Sequence, residues 1–395
     1  MLKYITVLFV ILMAVMDFMA YKKLLRKGVD IKLRRLFSYI AITVNCMPVI
    51  AALCMFLFTN IENSVLMMKI SMFLFTLFIL FILLRLSFYP FWLFSSKKKW
   101  MLCGVLLSLS TISTYLYSVF VTRTDYEIKD IEIGFSNLPA EFDGYRVVFI
   151  SDIHIGSMYN AGKELRELAG VVESTDADIV IFGGDLINLH YTELNPELLD
   201  ILSGIKGKEQ TLSVIGNHDT GTYISKKKDE INENEIIAFK KLVESCGWKI
   251  LRDSTVYIYK NNDSIAITGI DYSNELLKHK HSFGSVDGFN SSLIYKDVND
   301  SVFNITISHL PQLWYSLCDA GYSDLTLSGH IHAMQFKVSF LGCLFSPAQF
   351  MYNEWSGLYE REKGKLYIND GIGTVAYYSR IGSNPEITVI TLRKK

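Results

Sequence analysis

From residue 1 to about residue 121 the chain is a succession of long apolar runs broken by short charged connections. Each run approaches the ~20 residues that a helix needs to cross ~30 Å of hydrocarbon. The pattern therefore predicts four membrane spans, at about 4–21, 36–59, 65–93 and 100–121. One such run alone is compatible with a buried core helix, but four in series are not. The first is not a cleaved leader, although Lys3 precedes it, because Asp17 and Tyr21 stand where small residues should mark a cleavage site.

The positive charges give an expected orientation. Lys22, Lys23, Arg26, Lys27, Lys32, Arg34 and Arg35 follow the first span, and Lys97, Lys98 and Lys99 follow the third, while 60–64 carries no positive charge. Short loops rich in Lys and Arg stay cytoplasmic, so an even number of spans puts everything after the fourth outside, in a periplasm or on a cell surface. Three ionisable residues fall within or near the ends of the spans. Lys69 and Arg85 are expected to snorkel to the interface, and the pattern leaves the role of Asp17 open.

Beyond residue 122 the texture changes. Short β-branched apolar runs at 145–151, 179–182, 212–215, 264–269, 303–308, 325–328 and 387–392 predict buried strands. Between them, 162–173 and 235–246 have helical spacing, the second stopped by Gly247. Residues 248–269 read as an antiparallel hairpin turning at Asn261, Asn262 and Asp263, and Lys226, Lys227 and Lys228 as a solvated loop face. The expected organisation is an all-α transmembrane region over 1–121 followed by an α/β domain over 122–395, with two packed sheets flanked by helices.

Composition narrows the function. Half of the 395 residues are hydrophobic and mean hydropathy is +0.25, which excludes disordered and collagen-like classes. A net charge of -1 offers nucleic acid no general attraction. The six cysteines, at 46, 54, 103, 246, 318 and 343, contain no CxxC pair and read as small hydrophobes.

The chemistry gathers at strand ends. In order these carry Asp152-Ile153-His154, Gly184-Asp185, Gly216-Asn217-His218-Asp219, Ser308-His309 and Gly329-His330-Ile331-His332. In open α/β sheets ligands bind beyond the carboxyl ends of strands. Two divalent cations ~3.5 to 4 Å apart call for carboxylate and imidazole ligands with one shared anionic oxygen, and Asp185 is the natural bridge. Alternate residues on extended chain point the same way, so both members of D-x-H and H-x-H can face one cluster. The absence of Cys from the set argues against structural zinc. His190, His279 and His281 do not follow strand-like runs and are read as surface residues, with a substrate contact left open for His190 and Asn188.

The ordered series D-x-H, G-D, G-N-H-D, H and G-H-x-H resembles that of the calcineurin-like metallophosphoesterases, over roughly residues 143–392. The layout is similar to membrane-tethered bacterial members, some of which act on lipid-linked nucleotides such as UDP-diacylglucosamine. The resemblance implies a four-layer αββα sandwich. It implies one metal held by Asp152, His154, Asp185 and His332, and a second held by Asp185, Asn217, His309 and His330. His218 would contact the phosphate and protonate the leaving oxygen, with Asp219 orienting its ring. The implied reaction is in-line attack on phosphorus by a metal-bridging hydroxide, the ions being Mn2+, Fe2+/Fe3+ or Zn2+. Where many relatives carry an acidic residue after the proline of the His309 motif, this chain has Gln312.

Around the site, the aromatic stretch 345–359 reads equally as a wall beside the metals or as edge packing. Gly371, Ile372, Gly373 and Thr374 with Arg380 read first as a glycine turn and second as a phosphate contact. The expected function is hydrolysis of a phosphate ester, pyrophosphate or phosphodiester, with a lipid-linked substrate at a bilayer and no nucleic acid. The alternative is a membrane sensor or binding protein using an inactive domain of this kind. A transporter finds little support, since the sequence pattern shows neither a Gly/Pro-broken pair of spans nor a run of polar residues that would predict a midplane cluster.

Overall fold

The computed structural model describes residues 2–57, 61–95, 97–224, 230–279, 286, 291–296, 298–299, 301–362 and 364–395. His281, the Lys226 to Lys228 run and Asn60 lie outside the described residues, as does the side chain of His279. The chain divides into two units, Met1–Val121 with Val375–Ser379, and Thr122–Thr374 with Arg380–Lys395.

The first unit is built from helices α1 (Leu2–Arg26), α2 (Ile31–Leu57), α3 (Ile61–Phe94) and α4 (Lys98–Phe120). Each of the four apolar runs forms a helix, and among the described residues three helices, at Ile31–Cys54, Ser64–Phe94 and Lys98–Thr124, are long and apolar enough to cross a membrane. Met13, Val44, Phe78 and Ile82 form a small internal core, whereas Leu8, Ile40, Ile42, Leu66 and Leu109 face outward. An outward apolar surface of this kind belongs against hydrocarbon. Thr76 and Ser108 satisfy their hydroxyls on the carbonyls four residues back, at 2.7 and 2.8 Å. Arg85 does not snorkel as expected. It is buried and pairs with Asp17, its Nε 3.0 Å from the carboxylate, because a partner charge at the same depth satisfies it without any need to reach the interface.

Among the described residues the second unit holds fourteen strands in chain order. They are β1 (Glu127–Phe135), β2 (Arg146–Ile150), β3 (Ile179–Phe182), β4 (Gln210–Ser213), β5 (Trp248–Ile250), β6 (Ser254–Lys260) and β7 (Asp263–Gly269). There follow β8 (Asn304–Ile307), β9 (Leu325–Ser328), β10 (Val338–Phe340), β11 (Cys343–Phe345), β12 (Gly357–Arg361), β13 (Gly364–Ile368) and β14 (Glu386–Lys394). Two six-stranded sheets result, ordered β1-β14-β2-β3-β4-β5 and β12-β13-β9-β8-β7-β6, with β10 and β11 as a separate ribbon.

Side-chain alternation explains the layering. In β2, Val147 and Phe149 enter the core shared with Ile305 and Leu325 of the other sheet. Val148 and Ile150 point the other way, to a core containing Leu165, Leu168 and Val172 of helix α5 (Ala161–Ser174). Helix α5, α6 (Pro196–Ser203) and α7 (Glu233–Ser245) each start at an asparagine, Asn160, Asn195 and Asn232, whose side chain accepts an N–H of the first turn. A third core joins Trp314 and Cys318 to Leu366 and Ile368 on the far side of the second sheet. The sandwich of helices and two mixed sheets is the expected fold class.

Two local expectations change. The 248–269 stretch is not one hairpin: β6 and β7 pair antiparallel, but β5 joins β4 in parallel in the other sheet. Trp248 decides this, since its ring is buried and its indole N–H donates to the carbonyls of Leu202 and Ile205, both at 3.1 Å. The charged strand β1, whose polar spacing hid it, pairs parallel with β14 along its whole length. All six cysteines are free.

Candidate metal centre

The motif residues stand in the loops leaving β2, β3, β4, β8 and β9, and the backbone bends sharply at each. Asp152, His154, Asp185, His330 and His332 all have positive φ, between 48° and 73°. A non-glycine residue in the left-handed region costs ~1 to 3 kcal/mol and persists where the surroundings enforce it. Here hydrogen bonds between loops enforce it: the Asp152 N–H donates to Gly184 O at 2.9 Å and the His154 N–H to Asp185 O at 3.1 Å. The His330 N–H donates to the Asp152 carboxylate at 3.0 Å.

The motif glycines have a steric reason. A Cβ at Gly216 would lie 2.1 Å from Asp185 Oδ1, and one at Gly329 would lie 2.2 Å from Asp152 Oδ2. Each carboxylate rests directly on the backbone of the neighbouring motif, which is why those positions carry no side chain.

The structure brings all seven expected ligands together. His332 Nε2 lies 3.0 Å from Asp152 Oδ1 and 3.3 Å from His154 Nε2. His154 Nε2 is 3.8 Å from Asp185 Oδ2. On the other side of Asp185, the same Oδ2 is 3.2 Å from His309 Nε2, which is 3.0 Å from Asn217 Oδ1 and 3.3 Å from His330 Nδ1. Asp152, His154 and His332 form one compact donor group and Asp185, His309 and His330 another, each able to hold a metal ion. His218 also approaches, forming a third such group with His154 and Asp185, its ring in edge contact with His154 at 4.7 Å.

Electrostatics and tautomers suit cations. Burial holds the His154 imidazole well below its ordinary pKa, with His218 adding to the effect, and burial also lowers His218. Neutral rings are the form that ligates. Burial pushes against ionisation of Asp152 and Asp185, but His332 in the first case and His309 in the second hold both carboxyls below the usual carboxylate range. For His309 burial is outweighed by Asp185 and Asp152, which raise it to about 9. Its Nδ1 donates to Gly183 O at 2.8 Å, which turns Nε2 toward Asp185 and Asn217; a cation there would take the place of the proton that the two carboxylates favour. Imidazole nitrogens and ionised oxygens facing two common points are what a pair of divalent ions would satisfy, so the residues fit the metals that the resemblance implies.

One assignment is corrected. Asp219 does not orient the His218 ring. Its carboxylate accepts the backbone N–H groups of Asp185, Leu186, Ile187 and Gly216 at 2.7 to 3.2 Å, which ties the β3 and β4 loops together. Burial and Asp185 push its pKa up to about 8, opposed by those donors. The His218 ring is held instead by Asn188, whose backbone oxygen is 2.7 Å from Nδ1, and by Tyr223, stacked on it at 4.3 Å. The His218 N–H donates to Asp185 Oδ1 at 2.7 Å. Side-chain chemistry in the sequence carried no signal for a contact made by a backbone carbonyl.

Other neighbours also differ from expectation. His190 is not at the surface: it is buried, with Nε2 2.9 Å from Glu235 and Nδ1 2.8 Å from Thr192 Oγ1. Glu193 caps the loop before it, accepting the N–H groups of Asn188, Leu189 and His190. Arg380 is fully buried and donates to the carbonyls of Asp370, Gly373 and Ser383, with Nη2 3.3 Å from His332 Nδ1. The glycine turn is thus braced by the guanidinium. Of the aromatic stretch, Tyr352 packs with Trp314 and Ile331 in the third core, whereas Phe350 is exposed.

Residues 145–334 match the family model described as calcineurin-like phosphoesterase. The metallophosphoesterase YkuE of Bacillus subtilis (strain 168) is 26% identical over 282 residues, 71% of this chain and 88% of that protein. A transmembrane protein with metallophosphoesterase domain from Danio rerio is 26% identical over 298 residues, 73% of this chain and 62% of its own length. The phosphodiesterase YaeI of Escherichia coli (strain K12) is 21% identical over 250 residues, 63% of this chain and 82% of that protein. The match begins at the strand that leads to Asp152 and ends just past His332, so the chain carries a calcineurin-like phosphoesterase domain over the residues that form the donor groups, and relatives named metallophosphoesterase and phosphodiesterase support a hydrolase.

Proposed function

We propose that the protein is a membrane-anchored phosphoesterase with two divalent metal ions, hydrolysing a phosphate ester, pyrophosphate or phosphodiester of a lipid-linked substrate outside the cytoplasm. The observation that carries the reading is the sharing of Asp185 between two donor groups, with Oδ2 3.8 Å from His154 and 3.2 Å from His309. Asp152, His154, Asp185 and His332 would hold one ion, and Asp185, Asn217, His309 and His330 the other. Bound there, the ions supply charge for the phosphoryl oxygens and a water acidified enough to attack phosphorus near neutral pH. The chain's own residues do the rest. Asp152 and Asp185 offset the metal charge, and the outward proton of His309 fixes its ring. His218 lowers the barrier by giving a proton to the leaving oxygen, its ring aimed by the Asn188 carbonyl and the Tyr223 face. Asp219 keeps the β3 and β4 loops in register and takes no part in proton transfer.

The lipid-linked substrate is supported by the apolar helices that precede the domain and by relatives whose names pair transmembrane segments with this domain. The outward side follows from the Lys and Arg distribution. Purified full-length protein should turn over an aryl phosphodiester with Mn2+ and lose that activity to a chelator. Cells lacking the protein should accumulate one phosphorylated lipid species that the intact gene clears. No turnover with any divalent metal would overturn the enzymatic reading; turnover without such a lipid would overturn the substrate class.

A further inference from the structure

Within the first unit, Asp17 of α1 and Arg85 of α3 form a pair that the phosphoesterase chemistry does not use. Arg85 Nε and Nη2 donate to the two carboxylate oxygens at 3.0 and 3.1 Å, Tyr89 OH to Oδ1 at 2.9 Å and Asn45 Nδ2 to Oδ2 at 3.0 Å. Arg85 lies nine residues before Phe94, where its candidate span ends. At 1.5 Å per residue that is about 14 Å inside the end of this apolar span. Ionisable groups at such depth are costly and default to a functional role.

The cluster is incomplete. A guanidinium that grips a carboxylate through Nε and Nη2 turns its third nitrogen away from it, and Arg85 Nη1 is buried with no acceptor among the described residues. Leaving such a donor unmet is costly, the more so for a charged group. Arg85 and Asp17 also line a cavity of about 350 Å³ between α2, α3 and α4, walled by Phe37, Phe81, Leu84 and Phe88. Its lining residues Ile40, Val105 and Leu109 are exposed on the outer face of the helices, so the cavity opens sideways toward the acyl chains. Its size is that of small-molecule pockets, which run from ~300 Å³.

We propose that this cavity binds a neutral lipid, with a long hydrocarbon body along the apolar wall and a hydroxyl or carbonyl oxygen at the Arg85–Asp17 pair that lines it. Asp17 already neutralises Arg85, so an anionic phosphate would enter without a countercharge and lose its hydration. A neutral oxygen meets the pair at no such cost. Bilayer lipid is also what an opening at this depth meets.

The test uses full-length protein in phosphatidylcholine nanodiscs and a long-chain alcohol bearing a mid-chain diazirine, with labelled positions mapped by mass spectrometry. Labelling should concentrate on 37–41, 81–89 and 105–109, and excess diacylglycerol should compete it away. An alkane of equal length or phosphatidic acid should not. Ala41→Phe, which fills the cavity from a lining position and leaves the ion pair intact, should reduce labelling by about tenfold. Val105→Trp, entering from the exposed rim, serves if the first variant fails to fold, as judged by thermal unfolding. Label spread evenly over the helices, or unchanged by a folded variant, would overturn the site. Equal competition by the alkane or by phosphatidic acid would overturn the neutral-oxygen contact. No phosphate turnover enters the measurement, so its failure and that of the catalytic reading are separate events.

Discussion

Asp185 is asked to serve both metals and His218 none, and substitution should separate the two roles. Asp185→Asn should abolish turnover and lower bound metal by more than the ~10- to 100-fold that losing a mere supporting hydrogen bond costs. His218→Asn should lose ~10²- to 10⁴-fold of turnover while retaining both metals by elemental analysis. Metal-depleted His218→Asn would instead make that ring a ligand, as its proximity to His154 and Asp185 permits. Gly216 tests the steric reading of the motif. Gly216→Ala brings a methyl to 2.1 Å from Asp185 Oδ1, so it should lose metal and about 1 to 3 kcal/mol of stability, read by elemental analysis and denaturant unfolding. The residue types were legible in the sequence because ligation demands them. The holder of His218 was not, since any residue at position 188 would present the same carbonyl.

At the scale of elements, the site is a set of loops locked to each other, and Asp219 is the clasp between those of β3 and β4. Removing its carboxylate strands four buried N–H donors, each costing ~1 to 3 kcal/mol when unmet. Asp219→Ala should therefore lower the unfolding midpoint far more than a surface substitution does. Asp219→Asn, which keeps an acceptor oxygen, should recover part of the loss. Were Asp219 the partner of the His218 ring, Asp219→Asn would move the pH profile of turnover; the geometry predicts that the profile stays. The strands were legible where both faces are buried, as in Val147 to Ile150, because such runs are apolar throughout. They were hidden where the strand is an exposed edge such as β1, with charges at Glu127, Lys129, Asp130 and Glu132. Strand β5 was seen but joined to the wrong neighbour, since three residues do not specify a partner.

For the whole molecule, one label reads the side of the membrane on which the second unit stands. Ser174 is exposed at the end of α5, so Ser174→Cys, with Cys46, Cys103 and Cys343 replaced by serine, should react with an impermeant maleimide in intact cells. Reaction only after lysis would reverse the orientation. The sequence by itself determined what rests on local pattern: four long apolar helices, a buried α/β body and which seven residues stand as candidate donors, since hydrophobic runs and ligand chemistry are written position by position. Tertiary structure alone decided which strands became neighbours, that Asp219 clasps backbone instead of a ring, that His190 is interior and that Arg85 meets Asp17. Each of those depends on groups distant along the chain arriving at one place, and no single stretch of sequence encodes an arrival.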